Sequence, residues 1–140
     1  MRYLLSALLG LLPLAAAGQR HFTAAQLDTL AIDHPYHCHY ATGKYQGYAT
    51  SGEEKLQLVF LDCTRDGDSL RVSGQLLEGA PGEIFLATTT PTTCDLGKIG
   101  ETDEQGAFVV TVAADAAQSL YFVCEAYHDL EIRLRALVGR

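Results

Sequence analysis

The densest concentration of reactive side chains in the chain is His34-Pro35-Tyr36-His37-Cys38-His39. On a strand, His37 and His39 point to one side and Cys38 to the other, so the pair can offer two imidazole nitrogens to zinc or copper, with His34 or His128 as a third ligand. Two imidazoles on one side do not complete such a site. The competing reading is a polar, aromatic-rich surface whose histidines are solvated. No cofactor is expected on this basis, and His34, His37 and His39 stand as the metal-ligand candidates.

The four cysteines, Cys38, Cys63, Cys94 and Cys124, form an even set with no close Cys-x-x-Cys spacing, which argues against a thiolate zinc site. In an exported chain they read as two disulfides, for which three pairings are open. Their placement favours Cys38 with Cys63, tying an irregular segment to a hairpin, and Cys94 with Cys124, tying a loop to a core strand. Each bridge would contribute roughly 3–4 kcal/mol by restricting the unfolded chain. Tyr36, Tyr40, Tyr45 and Tyr48 can stack a sugar or a partner side chain, or close over one end of the fold with a ring buried and a hydroxyl wet. Ser69, Ser73 and Ser119 sit in no nucleophile-elbow context, so no catalytic residue is expected.

The elements that must position these residues read as strands. The turn signal Thr102-Asp103-Glu104-Gln105-Gly106-Ala107-Phe108 lies between two alternating segments and predicts a β-hairpin from Lys98–Thr102 to Ala107–Val112. A second hairpin is predicted from Leu56–Leu61 through Arg65-Asp66-Gly67-Asp68 to Leu70–Leu77, with Leu70, Val72, Gly74 and Leu76 on one face. Ile84–Ala87 and Leu120–Cys124 are apolar on both sides, as central strands are. The last strand places Leu130, Ile132 and Leu134 inward and Glu131, Arg133 and Arg135 outward, the pattern of a sheet with one wet face. Near the N-terminus, Thr23 as N-cap with Gln26 three residues on predicts a short helix to about Ile32, ended by Asp33-His34-Pro35. About seven short strands separated by turns predict an all-β fold, a two-sheet antiparallel sandwich with a short N-terminal helix.

The chain is 140 residues long, with 48% hydrophobic and 19% charged residues, which suits one packed domain and argues against disorder. Residues 1–18 carry Arg2, the apolar run Leu4–Leu14 and small residues Ala15-Ala16-Ala17, and read as a secretory signal peptide cleaved after Ala17 or Gly18. A membrane span needs roughly 20 apolar residues, more than this run supplies. No lipobox cysteine is present, so the mature chain is expected in the periplasm or outside the cell. Residues 19–55 read as the helix and an irregular Tyr/His-rich segment, and 56–140 as the β domain. Removing the signal takes away Arg2 and no acid, moving the net charge from −7 to −8. Nucleic acid is a poor partner for such a chain, since its cations are scattered among carboxylates.

From Leu70 to about Leu137 the sequence resembles the carboxypeptidase regulatory-like domain, a transthyretin-like β-sandwich. The likeness rests on Val72-Ser73-Gly74-Gln75-Leu76, on Pro81-Gly82, on the turn Thr102–Phe108 and on Tyr127. Glu83 and Ala126 depart from it: the family commonly has a small residue after Pro-Gly and a glycine before the tyrosine. The resemblance implies a non-catalytic accessory or binding module, with a protein or carbohydrate partner. Enzymes with a related sandwich fit less well. Hydroxyisourate hydrolases carry a terminal Tyr-Arg-Gly-Ser where this chain has Leu137-Val138-Gly139-Arg140, and intradiol dioxygenases order their tyrosines and histidines differently in a longer chain.

Overall fold

A computed structural model of the protein describes residues 18–37, 48–49, 54–78, 81–89 and 94–138. These are mostly β, arranged as two antiparallel sheets. The four-stranded sheet has β1 (Gln19–Thr23), β5 (Leu58–Asp66), β6 (Ser69–Leu76) and β9 (Ala107–Ala113), in that order across the sheet. The five-stranded sheet runs β2 (Ile32–His34), β11 (Asp129–Arg133), β10 (Ser119–Val123), β7 (Glu83–Thr89) and β8 (Cys94–Glu101). A separate two-stranded ribbon pairs β3 (Tyr36–His37) with β4 (Tyr48–Ala49).

One apolar cluster draws on both sheets. Leu61, Val72, Phe108 and Val110 come from the first, and Ile84, Leu120, Phe122, Leu130 and Ile132 from the second. Phe108 meets Phe122 edge-on at 5.3 Å between ring centroids, a favoured aromatic geometry. The β5–β6 hairpin forms around Gly67-Asp68, and Leu70, Val72, Gly74 and Leu76 are all buried, as their alternation predicts. A bulge between Leu58 and Phe60 shifts the parity of β5, which lets Leu58, Leu61 and Cys63 all face the core.

The turn at Asp103–Gly106 differs from its prediction. Its flanking strands do not pair: β8 pairs with β7 and β9 pairs with β6, so the turn carries the chain from one sheet to the other. Each end is fastened to a different sheet. Thr102, buried, accepts the Gly82 N–H on its hydroxyl at 2.6 Å and donates its own N–H to Gly82 O at 2.9 Å. Gly106 O accepts the Leu76 N–H at 2.9 Å, and Asp103 Oδ1 accepts from the N–H groups of Gln105 and Ala107. The turn chemistry was legible, but a hairpin and an inter-sheet turn share it.

The N-terminal segment contributes more than a helix. Helix α1 (Ala24–Leu30) starts at Thr23 with the reciprocal Thr23–Gln26 capping box and buries Leu27. It stops at Ala31, before the proline, because Ile32–His34 leave to pair with β11. On its other side, β1 pairs with β5 along five residues. Residues assigned from sequence to a segment outside the β domain are thus an edge strand of each sheet. The C-terminal strand also ends early: β11 stops at Arg133, and Leu134–Val138 form a short helix, α2, that buries Leu134 and Leu137. Arg20 of β1 points its guanidinium at the carbonyls of Ala136 and Leu137, each at 3.3 Å, satisfying C-terminal acceptors of α2.

Ala126 occupies the position where the resembled family commonly has glycine, and its φ of 75° lies in the left-handed region. The turn it sits in closes with Tyr127 N–H on Cys124 O at 3.1 Å. A left-handed alanine costs roughly 1–2 kcal/mol, partly offset in a glycine variant by extra unfolded-state entropy. Ala126→Gly is therefore expected to stabilise the fold by about 0.5–1 kcal/mol, measured as a higher denaturation midpoint at unchanged m-value.

Candidate functional site

Strand β2 is only three residues long, yet it carries two histidine–carboxylate bonds, one on each face of the sheet. The register sets His34 opposite Asp129 and Asp33 opposite Leu130. Because side chains alternate along a strand, Asp33 shares the core-facing side with Leu130 while His34 lies on the other side with Glu131. There His34 Nε2 meets Glu131 Oε1 at 2.7 Å, and Ser119 Oγ donates to Glu131 Oε2 at 2.6 Å. Behind β2, His128 Nδ1 lies 3.0 Å from both carboxylate oxygens of Asp33. An ionised carboxylate only accepts, so the proton in each bond sits on the named imidazole nitrogen.

Glu131 is buried, which corrects the reading of β11 as a strand with one wet face: its pattern is buried through Ile132, and only Arg133 is exposed. The alternation of Leu130 and Ile132 with charged residues was real, but the outer face of this sheet is also covered. Phe85, Ala87 and Tyr121 form a second, smaller apolar cluster there, and the His34 ring stacks on Tyr121 at 5.5 Å. Burial pushes the Glu131 carboxyl up, and the hydrogen bonds from His34 and Ser119, with the charges of His34 and Arg133, outweigh it to hold the carboxyl below the ordinary glutamate value.

This hydroxyl–carboxylate–imidazole chain contains the residue types of a nucleophile triad in another order. In a triad the imidazole lies between hydroxyl and carboxylate and takes the hydroxyl proton. Here the carboxylate lies between, and the Ser119 hydroxyl is spent on Glu131. The arrangement holds strands together: Ser119 belongs to β10, Glu131 to β11 and His34 to β2.

Of the metal candidates, only His34 and the alternative third ligand His128 have described side chains. His34 and His128 are held on opposite faces, each by its own carboxylate. His37 contributes backbone pairing to Tyr48 in the small ribbon. His39, with Cys38, Tyr40 and Tyr45, lies outside the described residues, as do the side chains of Tyr36, His37 and Tyr48. Among the described residues, no group of three or more His, Cys, Asp or Glu side chains could hold a metal ion. A further pair was not anticipated: His21 Nδ1 approaches Asp62 Oδ1 at 2.5 Å on the exposed face of the four-stranded sheet. The cross-strand placement that brings them together depends on the β1–β5 register, which no local pattern announces.

The cysteines also depart from expectation. Cys63 and Cys124 are free buried thiols. Cys94 opens β8 opposite Thr89, whereas Cys124 follows Val123, whose partner on β7 is Glu83. Six residues of β7 separate those two positions, about 20 Å at strand rise, while a disulfide needs Cα atoms within about 7 Å. The Cys94–Cys124 pairing is thereby excluded, and Cys38, the expected partner of Cys63, lies outside the described residues. Burial pushes the Cys63 thiol up to about 11 despite the nearby Arg20 charge, and pushes Cys124 up to about 12 with help from the charges of Asp129 and Glu83. Both are expected to resist alkylation in the native protein at pH 8 and to react once it is denatured without reductant. A mass map that finds either one blocked before reduction would contradict this placement.

Beside the Asp33–His128 pair lies a cleft of about 290 Å³ between α1 and residues 55–58. Leu27, Leu56, Leu58 and Leu130 floor it, and Asp28, Asp33 and Lys55 stand on its rim. That is near the lower end of the volumes that hold small ligands. No helix among the described residues is long and apolar enough to cross a membrane. Comparison with protein-family models, with curated proteins and with solved structures finds no match in any of the three.

Proposed function

We propose that this chain is an exported, non-catalytic β-sandwich of the transthyretin-like class that acts as a binding or accessory module for a protein or carbohydrate partner. The observation that carries the reading is how the described histidines are employed. Each of the three whose side chain is described bonds a carboxylate from a neighbouring segment: His21 with Asp62, His34 with Glu131 and His128 with Asp33. They act as fasteners between strands, and the Ser119 hydroxyl is committed to the same purpose.

The family resemblance is supported where its motif residues have structural work. Gly82 packs so closely on Cys124 that a Cβ there would overlap the sulfur, and Tyr127 donates to Glu78 at 2.8 Å. Export is supported by the sequence pattern of Arg2, the apolar run Leu4–Leu14 and Ala15-Ala16-Ala17 ahead of the expected cleavage point. Buried, high-pKa thiols are also compatible with an oxidising compartment, since the thiolate is the reactive form.

The test is fluorophosphonate labelling of the signal-processed protein, together with a panel of chromogenic ester, peptide and glycoside substrates. The module reading expects neither labelling nor turnover. Labelling at Ser119, or turnover abolished by Ser119→Ala in a variant that still folds, would overturn it.

A further inference from the structure

Among the described residues the two sheets present four edge strands, and three of them are blunted in ways that discourage pairing with another chain. Strand β1 carries Arg20 and His21, and β2 has only three residues. Strand β8 carries Asp95, Lys98 and Glu101 and faces a register shift at Ile84/Phe85. Strand β9, Ala107-Phe108-Val109-Val110-Thr111-Val112-Ala113, has no charge, no proline and no glycine, and its pairing with β6 has an unbroken register. Val109 on its outer face is 56% exposed.

The hydrogen-bond pattern defines what this edge offers. Leu76 N–H donates to Gly106 O at 2.9 Å, and Ala114 N–H donates to Asp68 O at 2.8 Å. In an antiparallel ladder such bonded positions alternate, so Phe108, Val110 and Val112 bond β6, while Ala107, Val109, Thr111 and Ala113 point their backbone groups away from it. The turn already engages Ala107, through Asp103 N–H on its carbonyl and Asp103 Oδ1 on its N–H, and Asp115 N–H takes the Ala113 carbonyl. Among the described residues, no backbone partner meets the N–H and C=O of Val109 and Thr111.

We infer that β9 is a homodimer edge, pairing antiparallel with β9 of a second copy about a two-fold axis at Val110. Self-pairing fits the sequence register. Centring on Val110 sets Val109 opposite Thr111 of the second copy, so outward groups meet outward groups and four ladder bonds form. Ala107 then faces Ala113, and Val109 lies against the Thr111 methyl on the outer face. Beyond the strand, Asp115 faces Gln105 and Glu104 faces Ala116, so no two carboxylates stand opposite each other. The acidic mature chain would repel a copy of itself on most surfaces, and this uncharged stretch is where that repulsion is least. The inference rests on strand order and composition and is independent of the module reading.

Sedimentation velocity of the signal-processed protein over a range of concentrations tests it, with two variants on the outward positions. Val109→Lys places a charge on the outer face, and Thr111→Pro removes an outward N–H without taking a bond from the β6–β9 ladder. The wild type is expected to sediment at twice the chain mass as concentration rises, and both variants at the single-chain mass with circular dichroism unchanged. Slower amide exchange at Val109 and Thr111 with rising wild-type concentration is the companion signature. A wild type that stays monomeric at several hundred micromolar, including one that instead captures an extended peptide, would overturn the proposal. So would a dimer that both variants leave intact.

Discussion

Replacing Glu131 by alanine is expected to lower folding stability by about 3 kcal/mol, which for a domain of this size corresponds to roughly 10 °C in melting temperature. The carboxylate accepts from His34 on β2 and Ser119 on β10, and it is buried while doing so. Its removal leaves two polar groups facing an apolar neighbourhood of Tyr121, Phe85 and Ala87. The figure sits at the lower end for a broken buried pair because His34 keeps partial access to water, with a side-chain exposure of 25%. Glu131→Gln retains shape and one acceptor, and is expected to lose about half as much.

The same residue sets a pH dependence of definite sign. A carboxyl whose folded value lies below its unfolded value contributes stability that is complete above the unfolded value and disappears as pH falls through the folded one. Glu131 is held low in the folded protein, so the wild type should lose this contribution as pH drops below the usual glutamate value of about 4.3. Glu131→Gln should lack that part of the acid-side slope. Denaturant midpoints measured from pH 7 down to pH 3 for both proteins read it directly, and parallel curves would contradict the assignment.

Gly106→Ala is the second large effect. Gly106 has φ 85°, where any L side chain is strained, and a Cβ there would lie 2.7 Å from the Leu76 carbonyl oxygen. That oxygen is backbone at the end of β6 and cannot turn aside. Left-handed strain and overpacking each cost about 1–3 kcal/mol, so a loss of about 3 kcal/mol is expected, seen as a lower denaturation midpoint. Ala126 offers the internal comparison. It shares the left-handed backbone at φ 75°, and relieving it should move stability in the opposite direction.

How much of this was legible in the sequence depended on the range of the interaction concerned. Alternation at Leu70, Val72, Gly74 and Leu76 gave β6 its buried face, because period-2 patterning is local and burial follows it. The Thr23–Gln26 capping box was equally readable, being complete within four residues. The turn at Asp103–Gly106 is legible as a turn but not as an inter-sheet connection, since its local chemistry does not say whether the strands beyond it pair with each other or with β7 and β6. The burial of Glu131 is not legible, because a single charged residue between Leu130 and Ile132 looks the same on a wet face and on a covered one. Its partners His34 and Ser119 lie 97 and 12 residues away, and only strand order brings them together. The His34–His39 stretch has the composition of a ligand run, but His34 belongs to a strand-to-strand bond. The histidine pair with Asp62 and the free thiol of Cys63 likewise depend on β1 and α2 packing over β5, which no short motif encodes.

The His34–Glu131–Ser119 chain, with Asp33–His128 on the opposite face, fastens the three-residue strand β2 to the five-stranded sheet. Native-state amide hydrogen exchange of the wild type and Glu131→Gln measures this at the residues concerned. Protection at Ile32–His34 is expected to fall sharply in the variant, while β5, β6 and β9 exchange as before. Equal loss across both sheets, or undiminished protection at β2, would contradict it.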